Sequence, residues 1–160
     1  MRRVNLHTAE LEHRDEEPEG YRAGFVRLHP RIGGAAMAGK YYELPAGQSN
    51  CPYHYEYDEE WLLVLDGPVT VRHPQGEEEL EAGDLVCFPA GPAGAHKLTN
   101  RGTEPVRMLM VSTSRRPAVA VYPDSDKIGV FTDEAADSIM VRRDAGVGYW
   151  DGESEGRPAQ

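Results

Sequence analysis

Residues 47–67 read GQSNCPYHYEYDEEWLLVLDG and residues 83–100 read GDLVCFPAGPAGAHKLTN. Each stretch opens on a glycine and runs through short apolar pieces too brief for helical hairpins, with turn residues between them. This is a β pattern that also carries metal-binding side chains. Along a strand successive side chains alternate faces, so His54 and Glu56 point the same way, and Glu60 keeps that parity if the intervening turn adds no slip. His96, Leu98 and Asn100 share parity on their own strand. A sheet that brings the two stretches together sets His96 opposite the first three, and two imidazoles with two carboxylates can hold a divalent metal.

Outward from these stretches the same alternation and punctuation predict an all-β chain. Strands are expected at Tyr21 to Leu28, Gly39 to Leu44, Tyr53 to Tyr57, Trp61 to Leu65 and Val69 to His73. Further strands are expected at Glu78 to Glu81, Leu85 to Phe88, Ala95 to Thr99, Val106 to Ser112 and Val119 to Tyr122. Pro45 to Gly47, Asp66 with Gly67, and Pro74 to Gly76 read as turns, and Pro89 to Gly94 as a rigid loop. Beyond Pro123 the pattern weakens to a helical turn at Asp133 to Asp137, a strand at Ser138 to Arg142 and a packed tail at Gly148 to Gly152. The organisation predicted is an N-terminal extension with an edge strand (1–38), a barrel core (39–123) and a C-terminal extension packed on the barrel (124–160). Even-numbered Leu62, Val64, Val86, Phe88, Leu98 and Met108 are expected to line the barrel. Tyr53, Tyr55, Tyr57, Trp61 and Glu59 face the other way.

The chain has 160 residues, 39% of them hydrophobic, which suits one domain. Seventeen basic and twenty-seven acidic side chains leave a formal charge of −10. That charge repels phosphate backbones and anionic lipid surfaces, so neither nucleic acid nor membrane is an expected partner. No apolar run approaches the roughly 20 residues of a membrane span, and the N-terminal arginines precede no apolar stretch, so the expected location is cytoplasmic. Cys51 and Cys87 are expected as buried thiols with no bridge, Cys51 lying on the face opposite His54. The acidic runs Asp15 to Glu19 and Glu77 to Glu81 read as solvated surface. His7, His13, His29 and His73 read as ordinary hydrogen-bonded groups.

The two stretches resemble the paired motifs of the cupin superfamily. Gly47, His54, Glu60 and Gly67 match the first motif, and Gly83, Pro89, Gly91, His96 and Asn100 the second, over about Gly39 to Ser112. The resemblance implies a double-stranded β-helix, or jelly roll, of six to eight strands, often dimeric, with its metal inside the barrel. A homodimer is therefore expected, and the segment before Gly39 is a candidate to cross to a partner as an added strand. The flanks look more like those of small, stand-alone bacterial members. Two departures stand out. Glu56 replaces the family's second histidine, and four residues rather than two separate Gly91 from His96, an insertion that a wider turn can absorb.

The expected metal set is His54, Glu56, Glu60 and His96, with Glu56 and Glu60 also the candidate catalytic carboxylates. Two histidines and two carboxylates would leave a divalent ion formally neutral, favouring manganese or iron(II) while leaving zinc and nickel open. Glu56 is read first as a ligand; the other reading makes it a general base beside a three-ligand centre. Without a metal, two carboxylates in one cavity repel, and no lysine or arginine lies close in sequence to relieve them. The chain lacks a phosphate-cradling glycine loop, a nucleophile elbow and paired CxxC knuckles, and the first absence counts against a sugar-phosphate isomerase. Two classes of function remain. One is a metalloenzyme acting on a small oxygen-bearing metabolite, of dioxygenase, isomerase or lyase type, with Glu56 or Glu60 moving a proton. The other is a non-catalytic module that binds a small ligand.

Overall fold

Between Glu60 and Asp66 the chain buries Leu62 and Val64 and exposes Trp61 and Leu65, the period-two signature of a strand with one face on a core. The structure, a computed structural model, describes residues 1–14 and 16–153. Its described residues form twelve strands: β1 (Gly24–Arg27), β2 (Met37–Leu44), β3 (Tyr55–Glu56), β4 (Glu60–Asp66), β5 (Pro68–His73) and β6 (Gly76–Glu81), followed by β7 (Leu85–Phe88), β8 (Lys97–Thr99), β9 (Val106–Thr113), β10 (Ala118–Tyr122), β11 (Lys127–Phe131) and β12 (Ile139–Arg142). They pair antiparallel in three sheets, ordered β1-β2-β9-β4-β7, β6-β5-β8 and β12-β11-β10-β3. The result is a jelly-roll barrel.

Leu44, Leu62, Val64, Val69, Val71, Leu98, Val106 and Met108, each at most 3% exposed, fill the space between the five-stranded and three-stranded sheets. Phe88 joins them and Val86 packs against them, so all the even-numbered apolar positions assigned to the lining take it. On the other side of the large sheet, Val26, Leu28 and Tyr41 form a second cluster under Val4, Leu6, Ala9 and Leu11 of the N-terminal segment. β1 pairs with β2 of its own chain, and Glu12 bridges Phe25.

Several expectations need correction. A four-residue helix, α1 (His29–Ile32), follows β1, started by Pro30 and ended by Gly33 at φ +79°. β11 was hidden because Gly129 interrupts its apolar run; that glycine lies close under Met140 and Phe131. The tail at Gly148 to Gly152 is not packed: Tyr149 and Trp150 are 85% and 75% exposed and touch each other edge to face. Cys87 is exposed and Cys51 half-buried, both free. Of the acidic run starting at Asp15, that residue lies outside the described ones. Glu16 and Glu19 are solvated, whereas Glu17 turns inward to accept from Arg14 and the Ala23 amide.

Candidate metal centre

Residues 47–54 run antiparallel to β8. The Gly47 amide donates to the Asn100 carbonyl and the Asn50 amide to that of Leu98, while His54 and His96 exchange both backbone hydrogen bonds, at 3.1 and 2.8 Å. Four steps along one strand, from Asn50 to His54, therefore face two along the other, so Cys51, Pro52 and Tyr53 bulge out. Strand parity fails inside the bulge. Cys51 does not face away: its Sγ lies 3.5 Å from His54 Nδ1.

The bulge also sets the orientation of His54. Its Nδ1 lies 3.0 Å from the Pro52 carbonyl oxygen, and His96 Nδ1 lies 2.9 Å from that of Gly94. A carbonyl can only accept, so each neutral ring carries its proton on Nδ1 and presents the Nε2 lone pair. His96 is fully buried, and among the described residues its Nε2 has no hydrogen-bond partner. An acceptor buried in that state is a costly orphan unless a Lewis acid meets it. Glu60, at the start of β4, brings Oε2 to 3.7 Å from that nitrogen. His54, Glu60 and His96 can each offer one donor atom, all within 4.8 Å of one another. This His-His-Glu cluster could bind a metal, and the backbone-held tautomers give it the outer support that metal-ligating histidines ordinarily have.

Glu56 stands beside this group rather than in it. Its Oε1 is 3.8 Å from His54 Nε2 and its side chain is 28% exposed. The separation has a topological cause. β3 pairs with β10, in a different sheet from β4, and the Glu56 carbonyl is tied to the Gly91 amide at 2.7 Å. Glu56 and Glu60 thus approach from two sheets instead of along one strand.

The longer second-motif loop folds as a 3-10 turn over Pro92–Gly94, leaving His96 on the barrel wall. Gly94 is obligatory there, since a Cβ would sit 1.9 Å from the Pro89 carbonyl oxygen. The Phe88 ring stacks on His96 at 3.8 Å, and Tyr122 stacks on His54 at 5.8 Å. Asn100, fully buried, ties the motif's end to the barrel by donating to the Leu44 and Glu104 carbonyls and accepting from the Gly102 amide.

A cavity of about 540 Å³ opens onto His54, Glu56 and Glu60; His96, fully buried, is not part of its lining and lies 3.7 Å from Glu60. Burial and the neighbouring Glu56 charge push the Glu60 carboxyl up to about 7. Burial and the nearby His54 charge pull His96 down to about 3. For His54, burial opposes protonation, but the Cys51 sulfur with Glu60 and Glu56 outweighs it, raising its affinity for a proton. Lys40 on β2 and Arg14 from the N-terminal segment also line this cavity. Sequence proximity could not reveal them: Lys40 is twenty residues from Glu60 and reaches the site only because β9 lies between β2 and β4. The one available signal was parity, since Lys40 and Leu44 fall on the same side of β2.

The Cupin domain family model matches residues 40–112, which carry these ligand candidates and most of the barrel. Residues 40–112 are a cupin domain. Germin-like protein 9-2 of Oryza sativa subsp. japonica is 26% identical over 118 residues, 71% of this chain; the chain spans about half, 52%, of that relative's length. A sugar phosphate isomerase from a cupin superfamily of Silicibacter pomeroyi superposes with TM-score 0.78 at 24% identity, covering 93% of this chain and 98% of that one. The polyketide cyclase RemF of Streptomyces resistomycificus superposes at 0.60 with 22% identity, covering 74% and 83%. At these identities the two likenesses establish the cupin fold alone.

Proposed function

We propose that this cupin is a metalloenzyme in which His54, Glu60 and His96 hold a divalent ion and Glu56 moves a proton on a small oxygen-bearing substrate. The observation that carries the reading is the division of labour in the cavity: two oriented imidazoles and one carboxylate converge, and a second carboxylate waits outside the convergence. A divalent ion held there would act as a Lewis acid, polarising a substrate oxygen. Manganese, iron, zinc and nickel all accept such donors. Glu56, partly exposed to the cavity and outside the donor group, is the residue to take a proton from the carbon adjacent to the one bearing that oxygen; the proton returns at another carbon in an isomerase, or the freed electron pair expels a leaving group in a lyase. His96, sealed beneath Phe88, excludes water from one side. Tyr42, Met110 and Tyr122 supply apolar wall for the rest of the substrate.

A second reading is favoured by the donor set itself. Two histidines and one carboxylate with open positions suit iron(II) and oxygen chemistry, which would make the protein a dioxygenase. Oxygen uptake and solvent-deuterium incorporation, followed on hydroxy acids, keto acids, diketones and catechols, separate the two. Glu56→Gln is expected to keep its metal and lose proton exchange. Metal-loaded protein that binds these compounds without changing any of them would make it a non-catalytic binding module. The proposal includes a homodimer, in which a second copy covers the exposed outer face of Trp61, Leu65 and Leu85, and a cytoplasmic site of action.

A further inference from the structure

Four cationic side chains other than histidine line the cavity, and among the described residues three of them have acidic partners. Arg14 pairs with Glu17 at 3.2 Å, Arg115 with Asp58 at 3.8 Å and Arg116 with Asp133 at 3.8 Å. Lys40 has none. Among the described residues no carboxylate comes within 4.0 Å of its ammonium and the ammonium makes no hydrogen bond; it lies over the Tyr42 ring, 6.0 Å from the centroid. Its position follows from the register. In the large sheet Lys40 pairs with Met110 and Met110 with Leu62, while Ala38, Ser112 and Glu60 form the next row. Lys40 therefore stands one row deeper than Glu60 and two strands away, on the same interior face, across the width of a small molecule. Burial lowers its affinity for a proton, the mark of an amine removed from water without full compensation.

A half-buried lysine without a counter-ion is expensive unless something else supplies the negative charge. The charges of the proposed site point the same way. With a divalent ion in place, the charges of Glu56 and Glu60 cancel it, and Lys40 leaves one positive charge unanswered. Asp58, which also receives a hydrogen bond from Thr113, is already matched by Arg115.

We propose that Lys40 anchors an anionic group of the substrate, so that the ligand is a small acid gripped at one end by Lys40 and presented at the other to His54, Glu60 and His96. The anionic group is a carboxylate or a phosphate ester, each able to take a charge-assisted hydrogen bond from the ammonium. This deepens the metalloenzyme reading and rests on it for the charge balance. It also supplies an anion site that the absence of a glycine-rich phosphate loop had argued against.

The test is calorimetric titration of zinc-loaded protein with malonate, inorganic phosphate and, as the neutral control, malonamide. Zinc content is measured on the same samples. Wild-type protein is expected to bind one or both anions and not the amide, and the stronger of the two identifies the anionic group. Lys40→Met should bind that anion about tenfold or more weakly at unchanged zinc content, the size of one lost charge-assisted hydrogen bond, and Lys40→Arg should recover part of the loss. Equal affinity of wild type and Lys40→Met, or no anion binding by wild type, overturns the anchor while leaving the metal reading intact. If neither protein takes up zinc, the metal reading fails and the anchor, which rests on it for its charge balance, is overturned with it; the zinc content tells this outcome from the failure of the anchor alone.

Discussion

At the scale of single residues, the protonation of the cluster makes the first prediction. Glu60 is raised from 4.5 to about 7, so between those values the folded chain holds a proton the unfolded chain has lost, and stability falls as pH rises through the window. His96 is lowered from 6.5 to about 3, so between those values the folded chain lacks a proton the unfolded chain holds, and stability rises with pH. The two slopes oppose each other between 4.5 and 6.5. Above 6.5 His54, raised from its ordinary 6.5, adds a second falling contribution to that of Glu60. The melting temperature of metal-free protein is therefore expected to rise from pH 3 to 4.5, stay nearly level to 6.5 and decline above it. Zinc should remove the decline and release protons as it binds, seen by calorimetry in buffers of different ionisation enthalpy. A melting temperature that climbs from pH 6.5 to 9 without metal would contradict these assignments. Much at this scale was legible in the sequence. His54, Glu60 and His96 follow from motif and parity, because a strand's alternation is local information. The place of Glu56 and the reach of Lys40 were not, because each depends on which strands become neighbours.

At the scale of elements, the loop between β7 and β8 carries the most specific demand. Gly94 packs its α-carbon against the Pro89 carbonyl, and its own carbonyl fixes the His96 tautomer. Gly94→Ala must displace one or the other. We expect a loss of about 1–3 kcal/mol from overpacking, read from the denaturant midpoint, together with weaker zinc binding. Gly91→Ala, at φ +85° but with open space around its Cβ, should cost backbone strain with less effect on zinc. Identical zinc affinity in wild type and Gly94→Ala would mean that the loop does not position His96. The sequence showed that this loop is longer than its family's, and that small residues and proline could absorb the excess. It could not show the 3-10 turn. Nor could it show the bulge at Cys51 to Tyr53, whose two extra residues preserve the parity of His54 while removing Cys51 from the strand.

At the scale of the whole molecule, the barrel joins two walls at the candidate centre. Glu60 comes from the five-stranded sheet, Glu56 from the sheet that carries β10 to β12, and His54 and His96 meet where the chain runs along β8. An ion held by His54, Glu60 and His96 would cross-link the five-stranded sheet to the paired segments along β8, with Glu56 of the third sheet left free, so binding should stabilise the entire fold, by about 4 kcal/mol at a free concentration a thousand times Kd. The all-β class and ten strands from Gly24 to Tyr122 were readable from alternation and turn residues. β11 and the exposed tail were not, since a half-buried strand broken by Gly129 and an aromatic pair in solvent both violate the patterns that betray strands and cores. The central claim is that His54, Glu60 and His96 together hold one divalent ion. Its most direct test is elemental analysis of protein purified without chelators or a nickel column, then dialysed against manganese, iron(II), zinc or nickel. The account predicts close to one ion per chain for wild type with at least one of these metals, and none for His96→Ala of native fold. Wild-type protein that retains no ion, or a folded His96→Ala variant that retains a full one, would contradict it.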